Sequence, residues 1–322
     1  MGVDLRHLRR VDRGIATGRY IQQRLAQALL VIFGITLVVF FLARLTPGDP
    51  VDLMLPEDAL PEQRVAMREA LGLDKPLPIQ YAIFLTNALH GNFGQSLYYK
   101  QPVFQIILEN LPRTIELTVA AMLVSLLVAI PIGVLSAIRR DTVWDYVGTL
   151  IALLGQSIPG YFLGIILILT LSVDLHLFPS SGYASPKYLV LPALTLAAAL
   201  MAIVMRLTRS AMLDVLGEDY IRTARAKGLA EQMVIIRHAL KNTLIPLVTV
   251  IGLQLGQLLS GAVIIETVFG WSGVGLVIVQ AIGARDYPVV QASVLFISVI
   301  FVFTNLAVDL LYAYLDPRIR YG

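Results

Sequence analysis

Six long apolar runs leave few folds open to this chain: Leu25 to Leu45, Ile115 to Ile138, Tyr146 to Val173, Tyr188 to Met205, Thr243 to Val268 and Val289 to Leu315. An α-helix needs about 20 residues to cross a bilayer core, and lipid leaves no backbone N–H or C=O unpaired. The pattern therefore predicts an all-α membrane protein with six transmembrane helices. The composition agrees, because 57% of residues are hydrophobic and 15% charged, whereas about a quarter are charged in soluble domains. The first run follows the basic stretch RHLRRVDRGIATGRYIQQR, as a secretion signal would. It outlasts the roughly 7–15 apolar residues of a signal core and ends in TPGDP, so it reads as a retained anchor.

Cations sort the flanks into two sides. Arg6, Arg9, Arg10, Arg13, Arg19 and Arg24 precede the first run, and Arg139 and Arg140 follow the second. Arg206, Arg209, Arg222, Arg225, Lys227, Arg237 and Lys241 separate the fourth and fifth, and Arg318 and Arg320 follow the sixth. Lys and Arg collect on the cytoplasmic side, which places both termini there. Because the net charge of +3 lies beside span ends rather than on a solvated domain, nucleic acid is not an expected partner. The absence of Cys excludes disulfides, iron–sulfur clusters and a cysteine nucleophile.

The expected organisation is a cytoplasmic segment 1–24, a first span 25–45, an extracytoplasmic helical loop 46–112, and a five-helix core 113–322 carrying a cytoplasmic loop 206–242. The outer loop leans acidic through Asp49, Asp52, Glu57, Asp58, Glu62, Glu69, Asp74 and Glu109. In LPEQRVAMREALGL, Pro61 suits a first helical turn, Gly72 the position past the end, and Val65, Ala66 and Leu71 fall at helical spacing. A second helix is expected from Pro78 to about Leu89, with HGNFGQS as a turn. Such a loop either caps the span ends or receives an external partner.

No constellation for catalysis stands out. His7, His90, His176 and His238 are not spaced as a metal pair, and no GxxxxGK[ST] loop is present to cradle nucleotide phosphates. Ion-coupled carriers place charge at mid-membrane depth. Here Arg113, Glu116, Asp174, Glu266 and Asp309 fall near span ends, where their heads are expected to reach water or headgroups. The uncharged polar residues Gln156, Ser157, Gln254, Gln257, Ser260 and Asn305 either bond across packed helices or line a path. Gln156, Ser157, Gln254, Gln257 and Asn305 are the path candidates. Gln254 and Gln257 lead them, since they share one face of the fifth span beside Gly252, Gly256 and Gly261. Pro131, Pro159 and Pro192 are expected to kink their spans.

Between the fourth and fifth runs, DYIRTARAKGL predicts a helix from Tyr220 to Lys227 with Asp219 at its N-cap and Gly228 past its end. A second helix begins near Glu231 and places Met233, Ile236, Leu240 and Leu244 in one apolar stripe. Arg222 and Arg225 lie one turn apart, beside the small Thr223, Ala224 and Ala226. This is the shape of a protein-docking helix, or of a basic segment resting on anionic headgroups. Beyond the fifth run, GWSGVGLVIVQAIGARDYP is too short to cross again. Trp271, Gly273 and Gly275 there read either as an external lid or as a surface helix anchored by its aromatic residue.

DYIRTARAKGL followed by IIRHALKNTLIP resembles the coupling loop of ABC importer permeases of the dipeptide and oligopeptide family, which includes nickel and glutathione members. RLTPGDP, LPALTL, ETVFGWSGVG, RDYPVVQ and the tail DPRIRYG extend the resemblance over nearly the whole chain. Against the broader Glu-Ala-Ala pattern, Arg222 and Thr223 replace Glu and Ala, Ala224 and Gly228 match, and Lys241 stands where Pro is expected.

The resemblance implies a type I importer permease fold in a bacterial cytoplasmic membrane and a non-catalytic translocation subunit for dipeptides or oligopeptides. It implies a second homologous permease as heterodimeric partner, two ABC ATPases that hold ATP and Mg, and an extracytoplasmic solute-binding protein. It assigns ATPase coupling to Asp219, Tyr220, Arg222, Thr223, Ala224, Arg225, Ala226, Lys227 and Gly228. Nickel or glutathione import is the alternative within the family. Outside it stand an ion-coupled secondary carrier and a non-transporting membrane scaffold.

Overall fold

The computed structural model describes residues 5–45, 51, 55, 59–70 and 72–315. The motif TPGDP, the tail DPRIRYG, and Asp49, Asp52, Glu57, Asp58 and Leu71 lie outside the described residues. Helices dominate, and among the described residues Gln95 and Pro102 form an isolated antiparallel bridge. In chain order they are α1 (Leu5–Leu45), α2 (Pro61–Ala70), α3 (Leu77–Leu89), α4 (Val103–Ile138), α5 (Val143–Ser157) and α6 (Gly160–Leu167), which runs into a π-helical segment, Ile168–Asp174. Then come α7 (Lys187–Leu216), α8 (Asp219–Ala226), the single turn α9 (Glu231–Met233) with its π-helical continuation Val234–Leu240, α10 (Lys241–Phe269), α11 (Val274–Gly283) and α12 (Tyr287–Leu315).

Five helices are long and apolar enough to cross a bilayer, through Ile21–Phe41, Val103–Ile138, Lys187–Leu216, Pro246–Phe269 and Tyr287–Asp309. The expected third span departs from a simple helix: α5 and the α6 segment to Asp174 qualify only together and are bent by 107°. The cause is local. Pro159 has no N–H to donate, and Ile158 before it takes the extended conformation that a following proline favours (φ −85°, ψ 121°). Of the three prolines expected to kink spans, Pro159 interrupts its helix, while α4 and α7 run unbroken past Pro131 and Pro192.

The chain divides into two compact units, Met1–Pro112 with Gly273–Leu306 and Arg113–Ser272 with Ala307–Gly322. In the first, the buried Phe40 of α1 packs edge-on against Tyr81 of α3 at 5.2 Å, and Thr36 shares a 2.7 Å hydrogen bond with the Tyr81 hydroxyl. A second cluster joins Val103, Ile106 and Ile107 to Val274, Val277, Ile278 and Val289. Beside it Asp286 is fully buried. Its carboxyl group accepts from the Ser96 hydroxyl and from Tyr98 N–H at 3.1 Å, so this polar group has hydrogen-bond donors in place of water.

In the second unit, α7 packs against α5, α6 and α10. Close approach explains the glycines of α5: a Cβ on Gly155 would stand 3.0 Å from Ala198 O of α7. Asp145, in the first turn of α5, is buried and receives Arg209 of α7 through two bonds, Nε to Oδ1 at 2.6 Å and Nη2 to Oδ2 at 2.7 Å. One turn beyond Arg209 on α7, Met212 joins Ala137, Ile221, Ala224, Val234 and Ala239 in a cluster that seats the hairpin 217–242.

Two expectations about span ends are corrected here. Glu266 does not reach water: it is fully buried, and Oε1 accepts from the Thr114 hydroxyl at 2.7 Å. Trp271 is not an interfacial anchor, being 1% exposed. Its Nε1 donates to Arg113 O at 2.9 Å and its ring meets Tyr183 edge-on at 4.7 Å. A tight corner produces this placement: Gly270 closes α10 in the left-handed region (φ 56°) and turns the next residue back onto its own unit.

Candidate functional site

The hairpin begins where α7 ends at Leu216. Glu218, extended at φ −72° and ψ 148°, occupies the N-cap of α8, so Asp219 is the first helical residue rather than the cap. Asp219 still lies in the first turn, where a carboxylate complements the helix dipole. Lys227 ends the helix and Gly228 follows at φ +76°, a conformation that costs a side-chain-bearing residue. Ile221 and Ala224, three apart, are the buried face of α8.

Two side-chain tethers hold α8. Near its start, Asn242 of α10 donates to the Tyr220 hydroxyl at 2.7 Å. Near its end, Arg225 grips Glu231 of α9 through Nε at 3.1 Å and Nη2 at 2.7 Å. Those hydrogen bonds hold the Glu231 carboxyl below its ordinary range and raise the Arg225 guanidinium. Arg225 thus braces the hairpin while its side chain stays 43% exposed. Arg222 rests loosely on Asp219 at 3.4 Å, and the Thr223 hydroxyl bonds back to Asp219 O at 2.9 Å. Arg222, Thr223, Ala226 and Lys227 remain exposed.

The expected stripe of Met233, Ile236, Leu240 and Leu244 is not the inner face. Met233, Ile236 and Leu244 are 45%, 56% and 37% exposed. Val234, Ala239, Thr243 and Leu247 are buried instead. A π-helical turn holds more residues than an α-turn, so Val234–Leu240 shifts the phase of everything after it.

The second feature is a groove of about 220 Å³ lined by α6, α7 and α10, with Gly160 and Tyr161, Thr195 to Ile203, and Gln254 to Ile265 contributing. Gln254 and Gln257, one turn apart on α10, both line it. Gln156 and Ser157 are exposed near the bend and do not line it, and Asn305 lies half-exposed on α12 in the other unit. Gly273 caps α11 in an extended conformation, and Gly275 is buried within that helix. Asn242, Asp145 and Tyr161 had no expected role. Among the described residues no group of acids and histidines is arranged to hold a metal.

The sequence from 129 to 321 matches the family model described as binding-protein-dependent transport system inner membrane component, and 18–118 matches the N-terminal model of the same systems. The chain belongs to this family. This family member is 40% identical to the dipeptide transport system permease protein DppB of Escherichia coli (strain K12), over 94% of this chain and 99% of that one. It is 41% identical to the glutathione transport system permease protein GsiC of Salmonella typhimurium (strain LT2), with the same shares covered. Its fold is similar to the MetNI methionine ABC transporter in inward-facing conformations, with a TM-score of 0.55 and 19% identity over 66% of this chain and 97% of that chain. The family member is therefore a multi-pass inner-membrane transport subunit with a permease fold rather than an enzyme.

Proposed function

We propose that this chain is the translocation subunit of an ATP-driven peptide importer. A second, similar permease completes the path, two cytoplasmic ATPases holding ATP and Mg supply the work, and an external solute-binding protein delivers cargo. The relatives named for a dipeptide and for glutathione both point to short peptides. A nickel chelate is the alternative cargo.

The observation that carries this reading is the mounting of α8. Its apolar face, Ile221 and Ala224, is seated in a cluster with Ala137, Met212, Val234 and Ala239, its two ends are tied by Tyr220–Asn242 and Arg225–Glu231, and its outer face is bare and basic. A helix fixed in this way moves with the ends of α4, α7 and α10 rather than fraying from them. Seated in a cleft of an ATPase, it passes closure of the ATPase pair to the spans. Asp219, Arg222, Thr223, Ala226 and Lys227 face the ATPase in this scheme, while Tyr220, Ala224, Arg225 and Gly228 hold the helix in shape. Gln254 and Gln257 line the path.

The test uses the complete complex in proteoliposomes. Arg222→Glu with Lys227→Glu is expected to leave ATP hydrolysis running while peptide uptake falls at least about tenfold, a loss of roughly 1.4 kcal/mol in coupling. Unchanged uptake in a fully assembled variant, or uptake driven by an ion gradient without the ATPases, would overturn the proposal.

A further inference from the structure

We infer that the groove on α6, α7 and α10 is a charge-free subsite that hydrogen-bonds a peptide bond of the cargo in transit, through the carboxamides of Gln254 and Gln257 and the hydroxyl of Tyr161. The inference rests on the import reading above and specifies what the path reads.

The three polar residues line the groove from two helices. Gln254 and Gln257 are one turn apart on α10, and Tyr161 follows the Pro159 break at the start of α6. None of the three has a hydrogen-bond partner among the described residues. Thr195, the other polar residue in the lining, already spends its hydroxyl on Leu191 O at 2.7 Å. A carboxamide among acyl chains would leave two donors and an acceptor unpaired, a cost that membrane helices avoid. These groups therefore face something that hydrogen-bonds.

The chemistry of that occupant follows from what is missing. No charged side chain lines the groove, so an ammonium or carboxylate lodged there would lack a counter-charge in a largely apolar wall. A peptide bond needs none: it offers one N–H and one C=O, and a carboxamide offers the complement of each. At about 220 Å³ the groove is smaller than the roughly 300–1,000 Å³ that enclose a drug-sized ligand. It takes a short piece of main chain rather than a whole peptide. Recognition limited to the main chain leaves cargo side chains unread, which suits a permease whose binding protein has already chosen.

The experiment places a charge in the groove and reads selectivity. The complete complex in proteoliposomes is supplied with the dipeptides Lys-Ala and Glu-Ala, each bound beforehand to the binding protein at saturation. Gln257→Lys should raise the Glu-Ala to Lys-Ala uptake ratio about tenfold, and Gln257→Glu should lower it about as much, because cargo and residue 257 share a poorly screened space. An equal fall for both peptides would mean that residue 257 packs against lipid or a helix of the second permease, and would overturn the inference.

A second measurement does not depend on tolerance of charge. This chain has no cysteine, so Gln257→Cys gives it a single thiol. Peptide-loaded binding protein with ATP should protect that thiol from a water-soluble maleimide, and equal labelling with and without peptide would overturn the inference. If the unaltered complex imported neither dipeptide, the import reading itself would fail first.

Discussion

Arg225 and Glu231 show how little energy an important contact can involve. Both side chains are about half exposed, and pairs of that kind act chiefly through geometry, here by closing the hairpin across Gly228. Arg225→Glu is expected to cut uptake without stopping ATP hydrolysis, and Arg225→Glu with Glu231→Arg to restore most of it; uptake assays on the assembled complex decide. The pH dependence has a definite sign. Glu231 is held below its ordinary value of 4.5 by the Arg225 hydrogen bonds. The pair therefore contributes above about that pH and is lost as the pH falls through the depressed value. Hydrogen exchange of the hairpin amides should be flat from pH 8 to 5 once corrected for intrinsic rates, and should accelerate below that range. Glu231→Gln should remove the acid step. Sequence spacing disclosed α8 and its terminating glycine, because both are local. It did not disclose the tethers, since Asn242 meets Tyr220 from 22 residues away across a turn whose path no pattern encodes. The burial of Trp271 was hidden for the same reason: an aromatic residue beside glycines looks interfacial until the αL corner at Gly270 turns it inward.

At the level of elements, α5 and α7 are joined by the buried Asp145–Arg209 pair at one end and by the close approach of Gly155 to Ala198 along their length. Removing one member of a buried ion pair strands the other, at about 3–5 kcal/mol. The low end applies here, because the Arg209 side chain keeps 30% exposure. Asp145→Asn should lower the thermal midpoint of the complex by several degrees, and a Gly155→Leu chain should fail to assemble, since its side chain would enter the backbone of α7; a thermal-shift assay and gel filtration in detergent check both. α7 leads straight into α8, so the Asp145→Asn chain should also import fewer peptides per ATP. Span existence was legible from hydropathy alone. Helix phase was not, as the π-helical Val234–Leu240 shows. An apolar stripe at 3.6 residues per turn loses its phase wherever a turn holds more.

For the whole molecule, what counts is how many times the chain crosses. The bent pair α5–α6 leaves two possibilities, a broken span or a loop that returns to the side it left. Charge decides between them. Arg139 and Arg140 precede the pair, while the stretch from Leu175 to Pro186 carries no Lys or Arg, and the hairpin after α7 carries Arg222, Arg225, Lys227 and Arg237. If the pair returned, α7 would start on the side of Arg140 and deliver the hairpin's cations to the opposite face, against the rule that short cytoplasmic flanks hold the Lys and Arg. If it crosses, every basic flank shares one face and α8 meets the compartment where ATP is found. Six crossings are therefore expected. Because the chain has no cysteine, single replacements report sidedness without background from this subunit. In right-side-out vesicles an impermeant maleimide should label His176→Cys and Asn92→Cys, and should reach Asp141→Cys and Lys227→Cys only after the membrane is opened. Labelling of positions 141 and 176 from the same side would make the pair re-entrant. It would also place α8 beyond the reach of any cytoplasmic ATPase, and the coupling scheme would go with it.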